Sequence, residues 1–308
     1  MKNSLVLFLT LNLTVLAIGW LTGGISLTLQ LVIAAILIGL VGIPHGAIDH
    51  ILFLQNNQTS PVKFYAFYFS LILLVILIWI FFPVAGLITF LGLSAYHFGQ
   101  SQFAKYNDLK KSVKIFLYIS WGIAVLSGLC VFNQTEILEI TSSASDLLQI
   151  KPVFEGSSFQ MLLVWSSLSF LVVLVLNYRT LGLRTVIYEL GVLALILLSL
   201  LVNPLLIGFS IYFASLHSWN VLQQEFKFLS KKIKKFSWQR FIGLLTPYTL
   251  VSLFGLFMLL ALSHFNIIGI SKTLVVFITI SALTLPHSFV MENFYNANSL
   301  KKLRFKTS

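Results

Sequence analysis

Ten stretches of about 20 residues, apolar almost throughout, restrict this chain to one kind of architecture. A helix needs roughly 20 such residues to cross hydrocarbon about 30 Å thick, and only helices or closed barrels satisfy their backbone groups there. The stretches lie near 5–21, 29–52, 64–82, 84–103, 113–132, 159–177, 183–202, 204–225, 241–262 and 273–293. Only 9% of the 308 residues are charged, against about 25% in soluble domains. The sequence therefore predicts an all-α, polytopic membrane bundle of about ten transmembrane helices, forming one domain over 1–308. The one long connection, 133–158, carries Glu136, Glu139, Asp146 and Glu155 against Lys151, and reads as an extracytoplasmic loop with room for a short interfacial helix and a solvated acidic face.

The net charge of +11 is distributed like a membrane anchor and unlike a nucleic-acid site. When the connections are assigned alternately to two sides, 18 of the 20 Lys and Arg residues fall on one side, and only Lys151 and Lys272 on the other. The positive-inside rule places both termini in the cytoplasm and the protein in the cell membrane. The first stretch, preceded by Lys2, is read as a retained helix rather than a signal peptide, since no convincing cleavage site follows. The single cysteine, Cys130, excludes an intrachain disulfide and is read as a packing residue.

Within these spans the ionisable residues are few and aligned. The second stretch ends in "GIPHGAIDH", residues 42–50. Counting inward from the outer helix ends, His45, His97, His217 and His287 lie about 13–16 residues deep in the second, fourth, eighth and tenth spans. At 1.5 Å per residue that is about 20–24 Å, so the four share one slab. Glu189 enters the slab from the opposite direction, and Asp49 lies one turn from His45. His50, five residues from His45, is rotated by about 140° and reaches the same centre only through a distorted helix, which Gly42, Pro44 and Gly46 favour. Pro286 also precedes His287, and Glu292 repeats the plus-five offset. His264 falls in another layer, near a helix end.

A lone intramembrane histidine serves as readily for an interhelical hydrogen bond. Several ionisable groups at one depth are another matter, because each costs roughly 2.5–3.5 kcal/mol near a helix centre on insertion scales. Converging imidazoles suit Fe, Zn or Cu, with nearby carboxylates orienting their second N–H groups. The clustered HxxxH and HxxHH motifs of membrane di-iron desaturases are absent, and the number of histidines suits one metal better than two. A proton-coupled, His/Asp-gated transporter built on broken helices uses the same residue types.

From the second span onward the chain resembles the Brp/Blh family of membrane beta-carotene 15,15'-dioxygenases. The resemblance rests on "GIPHGAIDH" at 42–50, "SAYHFGQSQF" at 94–103, "YEL" around Glu189, "NPLLIGFSIYFASLHSW" at 203–219 and "LPHSFVMENFY" around His287. It implies oxygen-dependent cleavage of the central double bond of beta-carotene to two retinal molecules at a non-haem Fe(2+) held by histidines, with a microbial rhodopsin as a possible consumer. His45 matches the PHG histidine, His97 the YHFG histidine and His217 the first of an HSxxH block.

The second histidine of that block is replaced by Val221. Three accounts follow: His287 or His50 completes the ligand set, with His287 preferred by depth; three histidines suffice; or the chain is a divergent member that binds a carotenoid or retinal without cleaving it, as a noncatalytic accessory protein, or acts on another lipid. Gln100 and Gln102 likewise stand where an acid would be unsurprising. Asp49 and Glu189 are read as outer partners of the ligands, and Tyr96, Phe98, Phe213, Trp219 and Phe289 as substrate-lining candidates.

Overall fold

The computed structural model describes residues 2–57 and 59–306, with side chains except those at 2, 56 and 297–306. Of the basic residues in the charge assignment, the side chains of Lys2, Lys301, Lys302, Arg304 and Lys306 lie outside the described residues. Among the described residues every regular element is helical. The α-helices are α1 (Lys2–Thr22), α2 (Leu27–Leu37), α3 (Asp49–Asn56), α4 (Pro61–Phe81), α5 (Pro83–Phe103), α6 (Lys111–Phe132), α7 (Gln134–Ser142), α8 (Lys151–Phe154), α9 (Ser158–Leu176), α10 (Tyr178–Leu181), α11 (Leu183–Val202), α12 (Leu205–Tyr212), α13 (Trp219–Lys232), α14 (Trp238–His264) and α15 (Lys272–Lys306).

Their starts follow local chemistry. Ser26, Ser60 and Ser237 accept from the backbone N–H three residues on, and proline occupies the first turn of α4 and α5, where its missing N–H costs no hydrogen bond. Pro247 and Pro286 lie inside α14 and α15 without ending them. Among the described residues nine helical spans are long and apolar enough to cross a membrane, so the chain is a multi-pass membrane protein. The tenth expected crossing, α5, has the length at 21 residues, but its second half carries His97, Gln100, Ser101 and Gln102, all buried. Its polarity is therefore turned into the bundle.

Two helices are broken where function was expected. After α2 the chain runs through a π-turn, Ile38–Gly42, and a 3-10 turn, Ile43–Gly46, before α3 resumes at Asp49. Between α12 and α13 a second π-turn spans Phe213–Ser218. Such wide turns re-aim side chains and are common at functional sites.

The α5–α6 pair packs through glycine. A Cβ at Gly99 would run into the backbone of Tyr118, and one at Gly122 into that of Ala95, the small-residue contact by which helices associate without a hydrophobic driving force. Gly122→Leu is expected to force α5 away from α6 at a cost of at least about 3 kcal/mol, read as loss of folded, monodisperse protein in detergent.

The 133–158 connection is more ordered than a solvated face. Ile137, Leu147 and Ile150 are buried in a cluster with Trp79, Leu87 and Cys130. Two of its acids turn inward: Glu136 accepts from Leu205 N at 2.9 Å and Asp146 from Ser271 N at 2.7 Å. Both sit on otherwise unpaired N–H groups at the starts of α12 and α15, where the helix dipole favours a negative charge.

Candidate metal centre

The breaks bring four imidazoles from four parts of the chain to one point. His45 comes from the 3-10 turn, His97 from α5, His217 from the π-turn and His287 from α15; all are buried. The His45 ring centroid lies 5.1 Å from that of His217 and 4.8 Å from that of His287, and His97 is 4.8 Å from both. Ligand atoms of His45, His97 and His287 all fall within 4.8 Å of one another, close to the span of two metal–nitrogen bonds of about 2.1 Å each.

Hydrogen bonds fix which ring nitrogen faces inward. The carbonyl of Gly42 accepts from His45 Nδ1, made possible by the tight turn that follows it. Ser101 Oγ donates to Phe98 O at 2.8 Å, so it accepts from His217 Nδ1 at 3.0 Å. Asp49 Oδ1 accepts from His287 Nδ1 at 2.8 Å, while its Oδ2 accepts from Tyr68 OH at 3.0 Å. The bonded nitrogen is Nδ1 in all three, leaving Nε2 for the centre. The Nε2 atoms of His217 and His287, and both nitrogens of His97, are buried without a hydrogen-bond partner. Each such group costs about 1–3 kcal/mol, and a cluster of them is explained by a ligand that all share. Neutral imidazoles, Nδ1 held by carbonyl, hydroxyl or carboxylate, are the donor set of a histidine metal site.

Glycine also sets the approach. A Cβ at Gly46 would lie 3.4 Å from His287 Nδ1, and one at Gly42 would lie 2.8 Å from Phe213 Cε1. Phe213 in turn stacks on His217 at 5.3 Å and 15°, and Phe98 lies 4.8 Å from the same ring.

Other expected residues are placed differently. His50 packs against Tyr248 at 4.5 Å and Tyr65 at 6.2 Å, away from the four rings; the distortion of this segment aims His45 and Asp49 inward and His50 outward. Glu189 meets no histidine. It accepts from Gln102 Nε2 at 2.6 Å, Tyr106 OH at 2.5 Å and Lys105 Nζ at 3.0 Å, tying α11 to the end of α5. Beyond that helix end, burial, with the Glu189 carboxylate beside it, pushes the Tyr106 phenol well above its ordinary value. Tyr96 donates to Glu292 Oε2 at 2.8 Å and Phe289 is exposed, packed on Phe67. His264 ends α14 beside Phe265.

Three participants, Ser101, Tyr68 and Glu225, were not singled out from the sequence, and Glu292 was noted there only for its offset from His287. Ser101 and Tyr68 orient His217 and Asp49; Ser101 carried a signal, one turn past His97, and Tyr68 none. Glu292 accepts from Gln100 Nε2 at 2.5 Å, so the acid missing from the "YHFGQSQF" segment is supplied by α15, as Glu189 supplies Gln102. Glu225, two turns past His217, is fully buried with neither oxygen hydrogen-bonded.

Val221 is fully buried in an apolar cluster with Ile48, Leu52, Val290 and Met291. Asp49→Asn is expected to weaken metal binding by about 10- to 100-fold, the usual cost of an outer partner of a ligating histidine, measured by competition with a chelator.

An apolar helical bundle with converging buried imidazoles is a membrane protein able to hold a metal ion. The family model for beta-carotene 15,15'-dioxygenase matches residues 36–295, which include all four histidines, and the chain belongs to that family. No curated protein and no solved structure matches it.

Proposed function

We infer that the chain cleaves the central 15,15' double bond of beta-carotene to two molecules of retinal, using one ferrous ion held by His45, His97, His217 and His287. The observation that carries this reading is the set of orphaned imidazole nitrogens converging on one buried point in a member of this family. Nitrogen ligands of this kind suit Fe, Zn and Cu; the reaction reduces dioxygen as two C=O bonds replace one C=C, which favours iron. When bound, the ion would supply the redox chemistry that dioxygen needs.

The protein's own residues do the rest. Gly42, Ser101 and Asp49 hold three rings in the tautomer that presents Nε2. Phe213 and Phe98 cover the His217 ring and keep water from the reacting carbons. Glu189 and Glu292 lock α5 to α11 and α15, fixing the helix that carries His97. The chain would act in the cell membrane, drawing its substrate from the lipid.

The test is anaerobic titration of the detergent-purified protein with Fe(II), followed by addition of oxygen and beta-carotene. One iron per chain and two retinals per carotene consumed support the reading. Carotene binding without iron indicates a noncatalytic carotenoid-binding protein, and solute flux without metal indicates a transporter.

A further inference from the structure

Beside the histidines, the α2 break, α13 and α14 enclose a mostly apolar groove of about 890 Å³, open to the outer face of the bundle. It reaches Pro44, the residue before His45, and Trp219, two residues after His217. One wall is a stack of flat rings. Phe226 lies parallel to Trp238 at 4.1 Å and 6°, Trp219 lies parallel to Trp238 at 5.9 Å and 13°, and Phe241 meets Trp238 edge-on at 5.5 Å. The facing wall is the distorted segment at Gly39, Leu40 and Val41.

Along α14 the lining runs from Trp238 to Leu253, about 22 Å at 1.5 Å per residue, most of the depth of a hydrocarbon layer. Thr246 and Thr249 give their hydroxyls to Ile242 O and Leu245 O of their own helix, so they show the groove little polarity. Asn3, Gln223 and Lys227 are the other polar residues of the lining.

We propose that this groove takes one arm of the carotenoid polyene from the bilayer and leads it to the four histidines. The proposal rests on the dioxygenase reading. A stiff conjugated chain laid across the edges of the stacked rings gains dispersion along its length, whereas a flexible acyl chain must be ordered to do so. The groove opens where the substrate is dissolved and reaches the chain neighbours of two of the four histidines, Pro44 and Trp219.

Filling the groove tests this. Thr249→Trp and Leu250→Trp, each loaded with iron, are expected to raise KM for beta-carotene at least about tenfold with kcat nearly unchanged, the pattern of lost ground-state binding. Leu168→Trp, on the exposed face of α9, is expected to match the parent. As a second measurement, beta-carotene should quench the fluorescence of Trp219 and Trp238 in the metal-free protein. A Trp219→Phe/Trp238→Phe variant then loses most of the quenched signal, and Trp165→Phe does not.

Unchanged KM in both filled variants, or quenching that survives the double Phe change, overturns the groove and leaves the dioxygenase reading standing. Loss of co-purified phospholipid in the filled variants with unchanged KM identifies an acyl chain as the occupant and also overturns it. An iron-loaded parent that turns over no carotene overturns the dioxygenase reading and the groove's polyene together.

Discussion

Alanine at His45, His97 or His217 is expected to leave a folded membrane protein without iron, its cleavage reduced by more than the roughly 100-fold that loss of an outer partner costs. The three rings come from separate elements, so no single change dismantles the bundle. The Nε2 atoms of His97 and His217 are buried without a hydrogen-bond partner. A second consequence is thermodynamic. Metal that binds only the folded chain stabilises it in proportion to RT ln(1 + [L]/Kd), so iron should raise the parent's melting temperature and leave the variants' unchanged. Chelation should bring parent and variants close together. Iron retained at parental stoichiometry in all three variants would reject the proposed centre.

The next largest effect concerns the ligand that Val221 cannot be. His287 sits 4.8 Å from both His45 and His97, with Asp49 holding its Nδ1; it has the geometry of a ligand already in place. His287→Ala should therefore abolish iron binding as fully as His97→Ala, and full occupancy after that change would exclude it. Val221→His points the other way. Its surroundings are Ile48, Leu52, Val290 and Met291, and an imidazole there is a buried polar group without a partner. The expected result is a loss of about 1–3 kcal/mol in stability with no gain in iron affinity. A clear rise in affinity would show that the turn after His217 faces the metal and that His287 is not the completing ligand.

The depth of the histidines was legible because a membrane fixes where a helix begins and a helix rises uniformly; counting residues amounts to measuring height. Rotation about the axis was not legible where the helix ceases to be regular. The π-turn and 3-10 turn between Ile38 and Gly46 reset the facing of everything after them, which is why Asp49 meets His287 while His50 meets Tyr248. Partners across helices were equally hidden. Gln100 and Gln102 look like weak substitutes for acids until Glu292 and Glu189 arrive from α15 and α11, elements far away in the chain. Glu225 was overlooked because it sits where the eighth apolar stretch was judged to end, and an acid at a boundary reads as solvated; α13 continues to Lys232 and buries it. The acids Glu136 and Asp146 were misplaced for the same reason, since a loop's charge pattern does not reveal which helix starts it caps.

The most direct measurement is retinal itself. Cells that accumulate beta-carotene would be given either the parent chain or His45→Ala/His97→Ala/His217→Ala, and their pigments extracted. Retinal appearing with a matching fall in carotene, only with the parent, is the result expected of an active four-histidine centre despite Val221. Carotene persisting equally in both, with the parent present in the membrane and loaded with iron, would contradict it.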